Sequence, residues 1–218
     1  MPKLGYDLQC PGSCSPVTQV IEETVMSQHP DAVKWNGRYQ TDGHYRQQGT
    51  ASQLLQDFAH LLPQNGVVLD AAAGVGVNTL FVAQRGLHVV ALDISEVGLQ
   101  LLRQKAAELN VVVETAVFDL TTPYFPPNCV DVLLNSRFLE RMAFPAYRQA
   151  LRPGGLLFFE TFVHKEDGDT PTYLLEPGEL HHAFADFEIV HSLETAVRGH
   201  RSGKWRDIAQ LIARKPNG

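Results

Sequence analysis

The sequence predicts an α/β fold: a seven-stranded sheet with helices on both faces and an antiparallel last strand. A short β-branched apolar run at 67–69 is followed by small residues, an apolar helical stretch at 77–84 and a second apolar run at 87–92. This order is typical of a βαβ unit, in which the two strands are parallel. Near the end of the chain, runs at 187–194 and 205–214 flank a short polar stretch, which predicts a hairpin with antiparallel strands.

The remaining elements follow from apolar periodicity and from turn residues. Helices are predicted at 52–62, 77–84, 95–109 and 138–151, with a short one ending at 184. Strands are predicted at 67–69, 87–92, 111–118, 130–134, 156–162, 187–194 and 205–214.

Composition restricts the class of protein. The chain has 218 residues, which suits one α/β domain with a full core. Its net charge of −6 gives no general nucleic-acid footprint. No apolar run is long enough to span a bilayer, and the first residues do not resemble a signal peptide. Three cysteines, an odd number, fit a reducing cytosol, so we expect a cytoplasmic protein without membrane or nucleic-acid partners.

Residues 1–45 are interpreted as an N-terminal arm and lid segment, and residues 46–218 as the main domain. Cys10 and Cys14 could form a redox or metal pair, but flexible thiols are favoured because no second ligand pair completes a zinc site. The scattered histidines likewise predict no metal site. An aromatic and basic cluster closes the arm, and it could cover a pocket or simply pack; it comprises Trp35, Arg38, Tyr39 and Tyr45.

A small-residue turn follows the first strand and points to a ligand. Asp70 ends the strand, and Gly74 and Gly76 let a ligand approach the backbone because neither has a Cβ. Asp93 ends the second strand 23 residues later, 93 − 70, where nucleotide-binding α/β folds place an acidic residue that accepts from ribose hydroxyls. The pattern predicts an adenosine-like ligand.

The glycine pattern bears on which ligand this is. A dinucleotide fingerprint has a third glycine three residues after Gly76, and Thr79 stands there instead. Ala72 stands in the same turn, and alanine there costs little only if its φ is negative. Because this third glycine is missing, an NAD(P)-dependent oxidoreductase is one of the weaker candidate functions for this chain.

From about residue 35 to 215, the chain resembles the class I S-adenosylmethionine (SAM) methyltransferases, which implies a Rossmann-like fold and SAM as cofactor. The resemblance rests on the acidic glycine turn, Asp93 and the Leu-x-Pro-Gly-Gly-apolar stretch that begins at Leu151. Within this family the chain looks most like the TehB-type, tellurite-resistance branch. That likeness rests on Gly76-Val77-Asn78, Pro177-Gly-Glu-Leu180 and Ala213-Arg-Lys215.

The resemblance implies positions for the cofactor. Asp93 is expected at the ribose and Asp119 at the adenine amino group, with backbone around the methionine part. The predicted cofactor-binding residues are Arg38, Asp70, Ala72, Gly74, Gly76, Asn78, Asp93, Ile94, Phe118, Asp119, Leu120, Asn135 and Ser136.

The methyl acceptor is expected to be a small molecule, either a soft or an anionic one such as a chalcogen oxyanion or a thiol. Asn135-Ser-Arg-Phe138 lacks the two prolines of nucleic-acid amino-methylases, which argues against base methylation. Candidate catalytic residues for an anionic acceptor are Arg137, Arg198 and His200; an exposed hairpin is the alternative for the last two. A SAM-binding module without catalysis shares these motifs and stays open.

Overall fold

The computed structural model describes residues 29–46, 49–164, 170–198 and 205–217. The cysteine pair at Cys10 and Cys14 and the candidate residue His200 lie outside these ranges. Within them, no helix combines the length and apolarity that a membrane crossing requires.

The observed elements alternate strand and helix, as the sequence predicts. The helices are α1 (Pro30–Thr41), α2 (Gln53–Asp57), α3 (Val77–Ala83), α4 (Glu96–Glu108), α5 (Ala143–Ala150) and α6 (Glu179–Ala183), with 3₁₀ turns at Gly43–Arg46 and Ala59–Leu61. The strands are β1 (Val67–Ala71), β2 (His88–Asp93), β3 (Val113–Val117), β4 (Val130–Ser136), β5 (Leu151–Phe162), β6 (Glu188–Arg198) and β7 (Trp205–Arg214).

All seven strands form one sheet in the order β3-β2-β1-β4-β5-β7-β6. The first five run parallel, whereas β7 is antiparallel to both β5 and β6. The predicted fold class is therefore confirmed. The strand order reverses between β1 and β4, and in open α/β sheets ligands bind outside the carboxyl ends of the strands at such a switch point.

Each face of the sheet is buried under helices. On one face, side chains such as Leu133 and Phe159 form a core with Tyr147 of α5 and Leu180 of α6. On the other face, Val68, Val132 and Phe158 pack with Leu55 of α2 and Val82 of α3. These buried apolar faces hold the carboxyl ends of the strands in a fixed arrangement.

Three elements differ from expectation. The helix expected at 138–151 begins only at Ala143, and its last residue pairs in β5 instead, opposite Val130. Residues 152–155 then bulge out of the ladder before Leu156 pairs with Val132, so the Pro-Gly-Gly turn lies inside a strand. The helix expected at 52–62 is split into α2 and a 3₁₀ turn.

Candidate active site

Asp70 is a buried carboxylate at the carboxyl end of β1, 2% exposed. Its Oδ2 accepts a hydrogen bond from Thr79 Oγ1 at 2.6 Å. Burial raises the pKa of Asp70 to about 7; the Thr79 hydrogen bonds oppose that rise and the charge of Asp93 adds to it. A cation brought to this carboxylate would therefore be bound strongly, because it would offset an unfavourable buried charge.

The turn after β1 takes a left-handed path. Gly74 has φ +58 and Gly76 has φ +76, conformations that suit glycine. Ala72 also has a positive φ, +59. The condition under which alanine would cost little there is thus not met, and Ala72 stores strain of about 1–2 kcal/mol.

Asp93 connects the turn to β2. Its Oδ2 accepts from the Gly74 N–H at 2.7 Å and its Oδ1 accepts from the Ser95 N–H at 2.8 Å. Burial raises its pKa, against these two hydrogen bonds, which lower it. A carboxylate has about four acceptor sites, so two stay available to hydroxyl groups of a ligand.

The residues expected around adenine lie beside Asp93. The Phe118 N–H donates to the Asp93 carbonyl at 3.0 Å, and Leu120 is buried while Ile94 is half-buried. The Oδ1 of Asp119 accepts from the Thr121 N–H at 2.8 Å. The carboxylate of Asp119 is thus partly engaged in its own turn, with its side chain 30% exposed.

In the aromatic and basic cluster of the arm, Trp35, Arg38 and Tyr39 belong to α1 and Tyr45 to the 3₁₀ turn that follows, and α1 packs on the glycine turn. Asn36 Oδ1 accepts from Ser95 Oγ at 2.6 Å and joins α1 to the start of α4. Tyr39 is buried, and a Cβ added at Gly74 would lie 2.8 Å from its hydroxyl oxygen. Arg38 is exposed, with its guanidinium 4.9 Å from the centre of the Trp35 ring. This segment packs closely on the predicted cofactor site, and its role as a lid stays a prediction.

A cavity near α3 and α4 does not lie at the aspartates. It measures about 290 Å³ and lies between α3 and α4, beside Val75, Leu80 and Lys105. Asp70, Asp93 and Asp119 do not line it. The ligand site expected at the carboxyl ends of β1 and β2 lies next to the switch point between β1 and β4, and it stays a prediction.

Asn135 and Asn78 have their amide groups engaged within the protein. The side-chain N–H of Asn135 donates to the Phe138 carbonyl at 2.8 Å, and its Oδ1 accepts from the Tyr147 hydroxyl at 3.1 Å. Asn78 Oδ1 accepts from the Ser52 N–H at 2.9 Å. With Ser136 and Glu160, these residues line a cavity of only about 10 Å³, close to the size of one water molecule.

Arg137 is the candidate catalytic residue that the structure places at the carboxyl edge of the sheet. Its Nε donates to Glu160 Oε1 at 3.1 Å, and its side chain is 48% exposed. Arg198 lies on β6 opposite Trp205, on the other face of the hairpin from Arg206. Arg198 therefore does not lie on the face of the sheet where Arg137 contacts Glu160 of β5.

Arg141, five residues after the end of β4, connects two loops at this edge of the sheet. It donates to both carboxylate oxygens of Glu179, at 2.5 and 2.7 Å, and to the carbonyls of Thr172 and Leu174. The hydrogen bonds to Glu179 raise the pKa of Arg141, while burial opposes them. Its guanidinium thus fastens the chain after β5 to the loop after β4. No sequence signal joins Arg141 and Glu179, since 38 residues separate them.

No group of three or more metal-ligating side chains comes together in the described part of the chain.

Comparisons with known proteins agree with this geometry. Residues 68–155 match the family model described as a methyltransferase domain. The ubiquinone biosynthesis O-methyltransferase of Mesorhizobium japonicum is 34% identical over 102 residues, 43% of this chain and 40% of that protein. Phosphoethanolamine N-methyltransferase 1 of Arabidopsis thaliana is 28% identical over 101 residues, 44% of this chain and 21% of that protein. The matches thus span less than half of these relatives.

Among solved structures, TehB from Haemophilus influenzae aligns with a TM-score of 0.69 at 20% identity, over 84% of this chain and 66% of that one. At this identity the likeness shows the fold alone. The strand order and these likenesses together show the Rossmann-like fold that methyltransferases have, and residues 68–155 of this chain match a methyltransferase domain.

Proposed function

We propose that this chain transfers the methyl group of SAM to a small-molecule acceptor. The observation that carries the proposal is the pair of buried carboxylates at the ends of β1 and β2. Asp70 and Asp93 flank one glycine turn, and Asp93 accepts a backbone N–H from it.

The residues at this turn fit SAM. The two acceptor sites left on Asp93 suit the two ribose hydroxyls. Asp70 suits the ammonium group of the methionine part, because a cation offsets its buried charge. Half-buried Ile94 and Phe118 supply apolar surface beside the adenine, and Asp119 keeps acceptor capacity for the adenine amino group. SAM supplies a methyl group already activated by its sulfonium.

The protein's part in the reaction is to position the acceptor and exclude water. Well-oriented reactants can gain about 7–11 kcal/mol over reaction in solution. A soft or anionic nucleophile needs no general base, whereas a neutral amine or hydroxyl does. Arg137 at the carboxyl edge, with half of its side chain exposed, supports an anionic acceptor. Chalcogen oxyanions and thiols belong to this class, and the sequence resemblance to the TehB-type branch implies the same class.

The named relatives act on chemically different acceptors, an O-methyl and an N-methyl acceptor among them, so they do not select one for this chain. The reducing cytosol that the cysteine content suggests would suit a thiol acceptor. A small molecule as the partner, without nucleic acid or membrane, is consistent with the net charge of −6.

Methyl transfer from labelled SAM tests the proposal. Wild-type protein would be assayed with selenite, with small thiols and with small amines, and the methylated products measured. Turnover of an oxyanion or a thiol is the expected result. SAM binding without turnover of any of these acceptors would identify a binding module instead of an enzyme.

A further inference from the structure

Two arginines meet on one aromatic ring at the carboxyl end of β5. The guanidinium of Arg137 lies 5.0 Å from the centre of the Phe162 ring, and that of Arg206 lies 5.2 Å from it. Arg206 reaches this ring because Phe162 pairs with Ile208, and residues two apart on β7 share a face. Two cations from different parts of the chain therefore contact the same ring: Arg137 is the first residue after β4, and Arg206 belongs to β7.

Arg137 is held in a defined orientation. Its backbone N–H donates to the Glu160 carbonyl at 2.7 Å and its Nε donates to Oε1 of the same residue. Gln210 Nε2 donates to the other carboxylate oxygen at 2.8 Å, and the Glu160 side chain is 4% exposed. Arg137 also has φ +61, a strained conformation of the kind that concentrates at functional sites. Because only Nε is engaged, both terminal nitrogens of its guanidinium are directed elsewhere.

Those terminal nitrogens have no acceptor among the described residues, and Arg206 has no carboxylate partner there. Arg206 is exposed. Among the described residues, Glu160 is the carboxylate that pairs with Arg137, and none pairs with Arg206, so these two arginines and Glu160 together carry one net positive charge in a protein whose net charge is −6. Arginines stacked on a ring present their edges outwards, and those edges match the oxygens of a carboxylate, a phosphate or a related oxyanion.

We infer that Arg137 and Arg206 form an oxyanion-binding subsite for the methyl acceptor. The Phe162 ring packs against both guanidinium groups, and Glu160 orients Arg137. This inference rests on the proposed function, because the subsite takes its role from the SAM crevice on the neighbouring strands. Arg206 takes the place beside Arg137 that the sequence offered to Arg198. The bound oxyanion is either the nucleophile itself, as selenite would be, or a carboxylate group of an acceptor whose thiol is the nucleophile.

Calorimetric titration separates these cases. Selenite, 3-mercaptopropionate and neutral 2-mercaptoethanol would each be titrated into wild-type protein, with and without saturating S-adenosylhomocysteine. The variants are Arg206→Gln and, as a matched control, Arg85→Gln. Arg85 also lies on a phenylalanine, 3.4 Å from the Phe81 ring centre, but at the far end of α3.

The expected result is that at least one anion binds to wild-type protein, and that its dissociation constant rises tenfold or more in Arg206→Gln but not in Arg85→Gln. If selenite binds and 3-mercaptopropionate does not, the bound oxyanion is the nucleophile. If 3-mercaptopropionate binds more tightly than 2-mercaptoethanol, the subsite recognises the carboxylate group of a thiol acceptor. The inference is overturned if neither anion binds to wild-type protein, or if Arg206→Gln binds it as tightly as Arg85→Gln. Failure of S-adenosylhomocysteine to bind would instead count against the proposed function, since the anions are also titrated without it.

Discussion

Replacing Asp70 by asparagine should stabilise the ligand-free protein while it weakens SAM binding. The pKa of Asp70 rises from 3.8 to about 7 on folding, because burial disfavours its charge. Its contribution to stability is therefore fully present below pH 4 and is lost as the pH rises through 7. Each pKa unit corresponds to about 1.36 kcal/mol, so the ionised carboxylate costs on the order of 4 kcal/mol above pH 7. Asparagine avoids that cost and still offers Thr79 an oxygen acceptor.

Urea unfolding at pH 5 and at pH 8, without ligand, measures this effect. Asp70→Asn should gain stability over wild-type protein as the pH rises, by a few kcal/mol at pH 8. Asp57→Asn, which removes an exposed carboxylate of α2, controls for the loss of one negative charge. If the free energy of unfolding changes equally with pH in wild-type protein and in Asp70→Asn, Asp70 does not carry an unfavourable buried charge that a bound cation would offset.

Three further substitutions test the turn and the loop beside it. Ala72→Gly should raise the free energy of unfolding by about 1 kcal/mol in urea, because glycine relieves the positive φ; a loss of stability would show that the methyl group packs favourably. Gly76→Ala should lower the free energy of unfolding by about 2–5 kcal/mol and weaken SAM binding, because the new Cβ would clash with the fully buried Leu102 and alanine would have to keep the positive φ. An unchanged melting temperature would contradict this. Arg141→Met should speed amide exchange within 170–179 without a change elsewhere, because that segment loses its fastening; uniform exchange rates in variant and wild-type protein would exclude a local role.

The ends of strands were the part of the site most accessible to sequence reasoning. Asp70 and Asp93 each close an apolar run, and parallel strands bring their carboxyl ends together, so their proximity follows from periodicity alone. The glycines of the turn were accessible for the same reason. The positive φ of Ala72 could not be predicted from the sequence, because alanine adopts a positive φ only when the surrounding structure imposes it.

Contacts between distant segments could not be read from the pattern. Arg141 meets Glu179 only because the loop after β4 faces the chain that follows β5. Asn135 lies near the end of β4, one residue beyond the predicted strand, yet its amide oxygen accepts a hydrogen bond from Tyr147 of α5. The face on which Arg198 lies could not be predicted either, because it depends on the register of the hairpin, and a shift of one residue moves a side chain to the other face of the sheet.

The binding of S-adenosylhomocysteine to wild-type protein and to Asp93→Asn, measured by calorimetry, tests the central claim most directly. Asparagine keeps one oxygen acceptor for the backbone but loses the charge, so a matched melting temperature would confirm that the fold is intact. The account predicts a dissociation constant at least tenfold higher in Asp93→Asn, as expected for a lost charge-assisted hydrogen bond of about 1.5–3 kcal/mol. Equal affinities, or no binding by the wild-type protein, would contradict it.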